Sequence, residues 1–322
     1  MSAPLLEVKN LRKHYPIYGP LGKLFPPKTY MNAVSGLSLQ IYPGETYGLV
    51  GESGCGKTTT GRSILGLTKP ESGEIWYNGK DLTQLSDKEF RSLRRDIQLV
   101  FQDPLSSLSP QQRIGALLEE PLIIQGEKDA SVRREKVLSI LKKVGLSEEH
   151  YFRYPHELSG GQVQRMGIAR ALIIQPKLIV CDEPVSALDV SIQAQILNML
   201  TQLQKEMGLT LLFISHDMGV VRYLCDRIGV MYLGAMVEEC DTDALFAQPL
   251  HPYTQALFAS IPDLSKRGQR REGLKGELPV RTDEFRGCVF HTRCPYAEAR
   301  CSQEEPEMRE VAPGHRVACH KV

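Results

Sequence analysis

Two spacings of apolar residues organise the chain. Alternating positions in LEVKNLRKHY (6–15) and NAVSGLSLQIY (32–42) predict strands, and the Gly/Pro-bearing stretch IYGPLGKLFPPKTY (17–30) between them predicts a loop, so an antiparallel start is expected. TYGLVG (46–51) is an apolar strand that runs into glycines and then into GKTTTGRSILGL (56–67), which has helical spacing. EIWYNG (74–79) and RDIQLVFQ (95–102) predict further strands, and from about Gly115 to Glu149 the pattern turns helical. Three apolar strands follow, KLIVCDE (177–183), LTLLFISH (209–216) and RIGVMYLG (227–234), separated by the amphipathic stretches 191–208 and 217–226. Strands alternating with helices imply a parallel sheet covered on both faces. Beyond HPYTQALFASI (251–261) the composition shifts to SKRGQRREGLKGELP (265–279), charged and poor in apolar residues, which predicts a linker.

With 322 residues and 42% hydrophobic side chains, the chain has enough material for one full α/β core and an appendage. Its formal charge of +1 excludes a global field for nucleic acid or anionic lipid, so any phosphate binding must be local. The N-terminal stretch lacks the apolar core of a signal peptide, and no apolar run approaches the roughly 20 residues that span a bilayer, so a cytosolic or peripheral protein is expected. Eight Cys in such a chain argue against a disulfide framework.

Residues 51–58 fit G-x-x-x-x-G-K-[ST] between a strand and a helix, the frame in which backbone N–H groups and a helix N-terminus cradle phosphates. The nucleotide-contacting candidates of this loop are Gly51, Ser53, Gly54, Gly56, Lys57, Thr58 and Thr59. Lys57 would reach the β- and γ-phosphates and Thr58 would bind Mg²⁺. A glycine-rich turn with an incidental lysine is the plainer alternative, and the strand-turn-helix frame argues against it. The apolar strand ending at Cys181 delivers Asp182 for the Mg²⁺ sphere and Glu183 to polarise a water. An Asp-Glu pair standing alone would more simply be a strand meeting solvent.

Leu158-Ser159-Gly160-Gly161-Gln162, followed by a helical stretch, holds a capping-box pattern in Ser159 and Gln162 and resembles the signature of ABC ATPases. The family's other positions occur in order. Tyr15 resembles the aromatic that stacks on adenine, though a half-buried strand tyrosine reads nearly as well. Gln102 resembles the glutamine that contacts Mg²⁺ or water, the loop Ser186 to Asp189 resembles the one that touches the partner ATPase, and His216 resembles the histidine that grips the γ-phosphate. The resemblance implies a P-loop NTPase fold of the ABC type, with a RecA-like parallel core, an antiparallel β subdomain and a helical subdomain at about 103–173. An ATPase domain over 1–262 and an extension over 263–322 are expected. It further implies a head-to-tail dimer in which Ser159, Gly160, Gly161 and Gln162 of one subunit close over ATP held by the other, with Glu183, Gln102 and His216 as catalytic residues.

Cys288, Cys294, Cys301 and Cys319 are spaced C-x5-C-x6-C-x17-C, after a segment that resembles the extension of ATPase subunits from bacterial dipeptide and oligopeptide importers. In that family such cysteines hold a [4Fe–4S] cluster in some members; Zn²⁺ is the second choice, and four reduced thiols in a packed lobe the third reading. Cys55, Cys181, Cys225 and Cys240 read as small buried hydrophobes. The resemblance places the chain on the cytoplasmic face of the bacterial inner membrane. Its expected partners are a paralogous ATPase subunit in a heterodimer, two transmembrane permease subunits and, indirectly, an extracytoplasmic substrate-binding protein, with no nucleic acid. Soluble ABC proteins and a non-catalytic ABC subunit are the rival readings. The first generally carry two cassettes or a long coiled coil; the second would show a degenerate catalytic motif.

Overall fold

The computed structural model describes residues 3–19, 26–259, 278–282 and 285–322. Most of the predicted linker at 265–279, and part of the loop predicted at 17–30, lie outside the described residues. The chain divides into two compact units, residues 1–42, 46–84 and 214–322 in the first and 43–45 and 85–213 in the second.

In the first unit, β1 (Leu6–Ile17) pairs antiparallel with β2 (Thr29–Ile41) and β4 (Ser72–Tyr77), and β5 (Lys80–Asp81) completes the order β2-β1-β4-β5. The alternation seen in the sequence is the cause: Leu6, Val8 and Leu11 turn inward and are buried, whereas Glu7 and Lys9 pair on the other face. A second set of strands runs β11 (Arg309–Ala312), β12 (His315–Val317), β10 (Ala235–Asp241), β9 (Arg227–Tyr232), β3 (Thr46–Val50). β3 and β9 are parallel and β10 returns antiparallel. Helices α1 (Lys57–Ile64), α7 (Met218–Leu224), α8 (Thr242–Ala247) and α9 (Pro252–Ala259) belong to the same unit.

The sequence pattern missed β10, because Glu238 and Glu239 sit in its middle. Both are nonetheless buried, Glu238 with no exposed surface. Glu238 accepts from Leu250 N (2.8 Å), His251 N (3.0 Å) and His315 Nε2 (2.7 Å). Glu239 accepts from Tyr47 Oη (2.8 Å), Arg227 (3.1 Å) and Arg316 (3.2 Å). Buried carboxylates are tolerable only with such partners, and two of them come from β12. The C-terminal residues are therefore welded into the sheet.

The second unit holds β7 (Leu178–Asp182), β6 (Ile97–Val100) and β8 (Thr210–Ser215) as far as Phe213, in the order β8, β7, β6, with β6 and β7 parallel. All six residues of β8 are buried, and its large apolar side chains contribute about 1.5–3 kcal/mol each by leaving water. The helical stretch predicted at about 115–149 resolves into α3 (Ile114–Ile124) and α4 (Ala130–Lys143), α5 (Gly160–Leu172) follows Ser159, and α2 (Asp87–Leu93) and α6 (Val190–Met207) stand before and after them. Among the described residues no helix is long and apolar enough to cross a membrane.

Candidate functional site

The sequence-marked residues fall into two groups, one in each unit. In the first, β3 ends at Val50 and α1 begins at Lys57, so residues 51–56 form the turn. Gly56 takes φ +106, and a Cβ there would stand 2.0 Å from the Ala33 carbonyl oxygen; only glycine fits. No described side chain caps α1, and the N-terminus of a helix, with its amides and positive dipole end, suits an anion. Lys57 is 4% exposed and donates to the carbonyls of Gly51 (2.7 Å) and Glu52 (2.9 Å), so its ammonium is folded against the loop it serves. Burial pushes the Cys55 thiol up, Lys57 opposing, which keeps it protonated. Thr58, Thr59 and Gly56 are half-buried, while Ser53 and Gly54 are exposed.

Tyr15 is a half-buried residue of β1, opposite Met31, with the Lys13 ammonium 5.4 Å from its ring centroid. An aromatic face that attracts a cation also suits a stacked base. His216 follows β8 and is exposed; the next residue, Asp217, caps α7 through Gly219 N (2.8 Å) and Val220 N (3.2 Å).

In the second unit, β7 ends at Asp182 and Glu183 turns into the left-handed region at φ +48. Strain of this kind costs about 1–3 kcal/mol and persists where surrounding structure imposes it, commonly at functional sites. Gln102 Nε2 donates to Glu183 Oε2 and to Ser186 Oγ, both at 3.3 Å, which joins Gln102 to a stretch that begins 81 positions later. Cys181 is wholly buried, its thiol pushed up to about 12, and acts as a hydrophobe at the strand end. Asp189, marked for the partner-touching loop, is the N-cap of α6: it accepts from Ser191 Oγ (2.6 Å) and Ile192 N (3.0 Å), and these bonds hold its carboxyl below the usual carboxylate range. Ser159 and Gln162 form the capping box that the sequence predicts at the start of α5, Gln162 Oε1 accepting from Ser159 N at 3.0 Å.

All eight cysteines are free. Cys288, Cys294, Cys301 and Cys319 line one small cavity with His251, Phe290, His291 and His320. Burial pushes the Cys288 thiol up to about 11, and the neighbouring thiols of Cys301, Cys319 and Cys294 add to this. Among the described residues, however, no three His, Cys, Asp or Glu side chains are grouped so as to hold a metal ion. The predicted metal set thus shares a cavity without forming a ready-made single-ion site. No local spacing marks Arg293, which bonds Glu52 of the phosphate loop across 241 positions.

Residues 34–186 match the model for the ABC transporter family, and residues 237–301 match that for the oligopeptide/dipeptide transporter C-terminal region. The oligopeptide transport ATP-binding protein AppF of Bacillus subtilis is 50% identical over 321 residues, covering 98% of this chain and 97% of that protein. The oligopeptide transport ATP-binding protein OppF of Salmonella typhimurium is 50% identical over 326 residues, covering 99% and 96%. Among solved structures, a dimeric bacterial ABC transporter cassette superposes with TM-score 0.66 at 33% identity, covering 74% of this chain and 98% of that one. The same cassette in a post-hydrolysis state with ADP and Pi gives TM-score 0.65 at 33% identity over the same shares. Glycine cradle, strand-end carboxylates, capped signature turn and near full-length similarity agree: this chain belongs to the ABC transporter family, among its oligopeptide-transport ATP-binding proteins.

Proposed function

We propose that this chain binds and hydrolyses ATP to drive a peptide importer, and that the Gln102–Glu183 pair is where hydrolysis is carried out. The observation that carries the reading is the strained Glu183 at the end of β7, held beside Gln102 at 3.3 Å. Phosphoryl transfer to water needs positioning and charge neutralisation more than covalent chemistry. Lys57 and the amides of the phosphate loop take the charge of the β- and γ-phosphates, Tyr15 stacks on the base, and His216 faces the γ-phosphate. Glu183 accepts the proton of the attacking water, whose orientation Gln102 shares. Thr58, Asp182 and Gln102 are oxygen donors of the hard type that Mg²⁺ prefers, and would hold it; bound there, the ion neutralises phosphate charge.

The division that goes with this reading is an ATPase domain over 1–262, with a helical subdomain at about 103–173, and an extension over 263–322. Similarity to a cassette solved as a dimer supports a head-to-tail pair in which Ser159, Gly160, Gly161, Gln162 and the loop ending at Asp189 meet the partner's nucleotide. The partner is a paralogous ATPase subunit. Two permease subunits carry the peptide, an extracytoplasmic binding protein delivers it, and the chain sits at the cytoplasmic face of the inner membrane; the relatives' role in oligopeptide transport supports this assignment. Cys288, Cys294, Cys301 and Cys319 would hold a [4Fe–4S] cluster, with Zn²⁺ the second choice; what supports this is that the four thiols line one cavity, thiolate being the ligand both prefer.

Glu183→Gln in the assembled transporter tests the reading. ATP binding stays within about twofold and steady-state hydrolysis falls by at least ~10²-fold, the share expected of a positioned base. Near-normal turnover would remove Glu183 from the role.

A further inference from the structure

Glu52 puts a carboxylate on the very loop that is read as the triphosphate cradle, where an unpaired negative charge would repel the ligand. It is not unpaired. Arg293 grips it with two bonds, Nη1 to Oε2 at 2.7 Å and Nη2 to Oε1 at 3.2 Å, from a side chain only 8% exposed. Glu52 N in turn donates to Tyr253 Oη at 2.8 Å, and Tyr253 is fully buried. A third C-terminal residue, Leu278, reaches the same loop: its Cδ2 lies 3.7 Å from where a Cβ on Gly54 would stand. Three residues that follow the loop by 201 to 241 positions therefore converge on residues 52–54.

Behind the grip is an aromatic wedge. Tyr232, at the end of β9, packs on Tyr253 with ring centroids 4.5 Å apart and on Phe290 at 5.2 Å; Tyr253 and Phe290 are 5.4 Å apart. Tyr232 Oη also accepts from Arg293 at 3.3 Å. Phe290 stands two residues after Cys288, and Arg293 directly precedes Cys294. The segment that carries Cys288 and Cys294 and the phosphate loop thus meet over three fully buried aromatic side chains.

We infer that Arg293 and Tyr253 are positioning residues that hold the phosphate loop in its nucleotide-accepting shape and mask the charge of Glu52, so that the C-terminal lobe sets the loop's affinity for ATP. This rests on the reading of residues 51–58 as the ATP site. A planar guanidinium making two bonds fixes orientation as well as charge, which an ammonium does not. When the binding-competent shape is only fractionally populated, apparent affinity drops by that fraction.

The test is a titration of the full-length chain with fluorescent Mg-ATP analogue, thermal unfolding being followed in parallel. Arg293→Ala raises Kd about tenfold or more, and Arg293→Lys recovers only part of the loss. Adding Glu52→Gln to Arg293→Ala brings Kd back to within about threefold of the parent, because the unmasked carboxylate is gone; a purely structural arginine would show no such rescue. Tyr253→Phe weakens binding by about threefold, in keeping with one neutral hydrogen bond. In the assembled transporter the change falls on KM for ATP rather than on kcat. A folded Arg293→Ala protein with Kd within twofold of the parent, or a double variant no better than the single one, overturns the inference. Should Arg293→Ala fail to fold, Arg293→Lys and Tyr253→Phe with parental Kd overturn it equally. Lys57→Ala serves as the control: if it binds ATP normally, the ATP-site reading itself fails, whereas lost binding there with parental Kd in the Arg293 variants overturns the positioning role alone.

Discussion

Helices α1 and α5 both begin at glycine-bearing turns marked for a triphosphate, and they are closed in different ways. α1 starts from a left-handed glycine with no side-chain cap, pressed against the Ala33 carbonyl. α5 starts from Ser159 in extended backbone, and its serine and Gln162 satisfy each other's amides. Shape at the phosphate loop is thus imposed by neighbouring strands rather than by a side-chain cap. The signature turn is satisfied locally and presents Ser159 and Gly160 to the exterior. In the proposed function the first is filled from within its own subunit and the second is used by another.

The strongest challenge to that contrast is Gly56→Ala. Left-handed backbone costs a non-glycine residue about 1–2 kcal/mol, and a methyl meeting a strand carbonyl has nowhere to move. Nucleotide binding is expected to fall by at least ~100-fold in titration of the isolated chain, and a parental Kd would break the comparison. A subtler one sets the two signature glycines against each other. A Cβ on Gly161 would lie 2.6 Å from Ile192 Cγ2, whereas on Gly160 the nearest atom, in Leu188, is at 3.7 Å. Gly161→Ala is therefore expected to destabilise the isolated chain by about 1–3 kcal/mol through overpacking, and Gly160→Ala to leave its melting temperature unchanged. In the assembled transporter Gly160→Ala is nevertheless expected to cut ATPase activity about tenfold or more, because the proposed head-to-tail pair sets this position against the partner's nucleotide. Unchanged activity there would show that the turn has no external user. The smallest effect is Ser159→Ala, which removes a cap worth about 1 kcal/mol and is checked by denaturant unfolding; it should leave nucleotide affinity of the isolated chain untouched.

Much of this was legible from residue pattern. Apolar runs announce β3, β7 and β8 because strands buried on both faces admit little else, and Gly56 and Lys57 announce the cradle because the chemistry tolerates few substitutes. β10 was not legible, since Glu238 and Glu239 look like solvent-facing residues until His315 and Arg316 arrive from the far end of the chain. Asp189 was legible as part of a loop but not as the cap of α6. Neither could Arg293 be found, because no local spacing connects it to Glu52.

What the residues determined by themselves is the local chemistry: which stretches alternate, which helices can be capped, where glycine alone is tolerated. Those follow from sterics and hydrogen bonding within a few positions. Tertiary structure alone decided which charges could be buried and what would stand against the phosphate loop, because a buried carboxylate is stable only beside its counterpart, and the fold brings that counterpart from 77 positions away to Glu238 and Glu239, as it brings Arg293 from 241 positions away to Glu52.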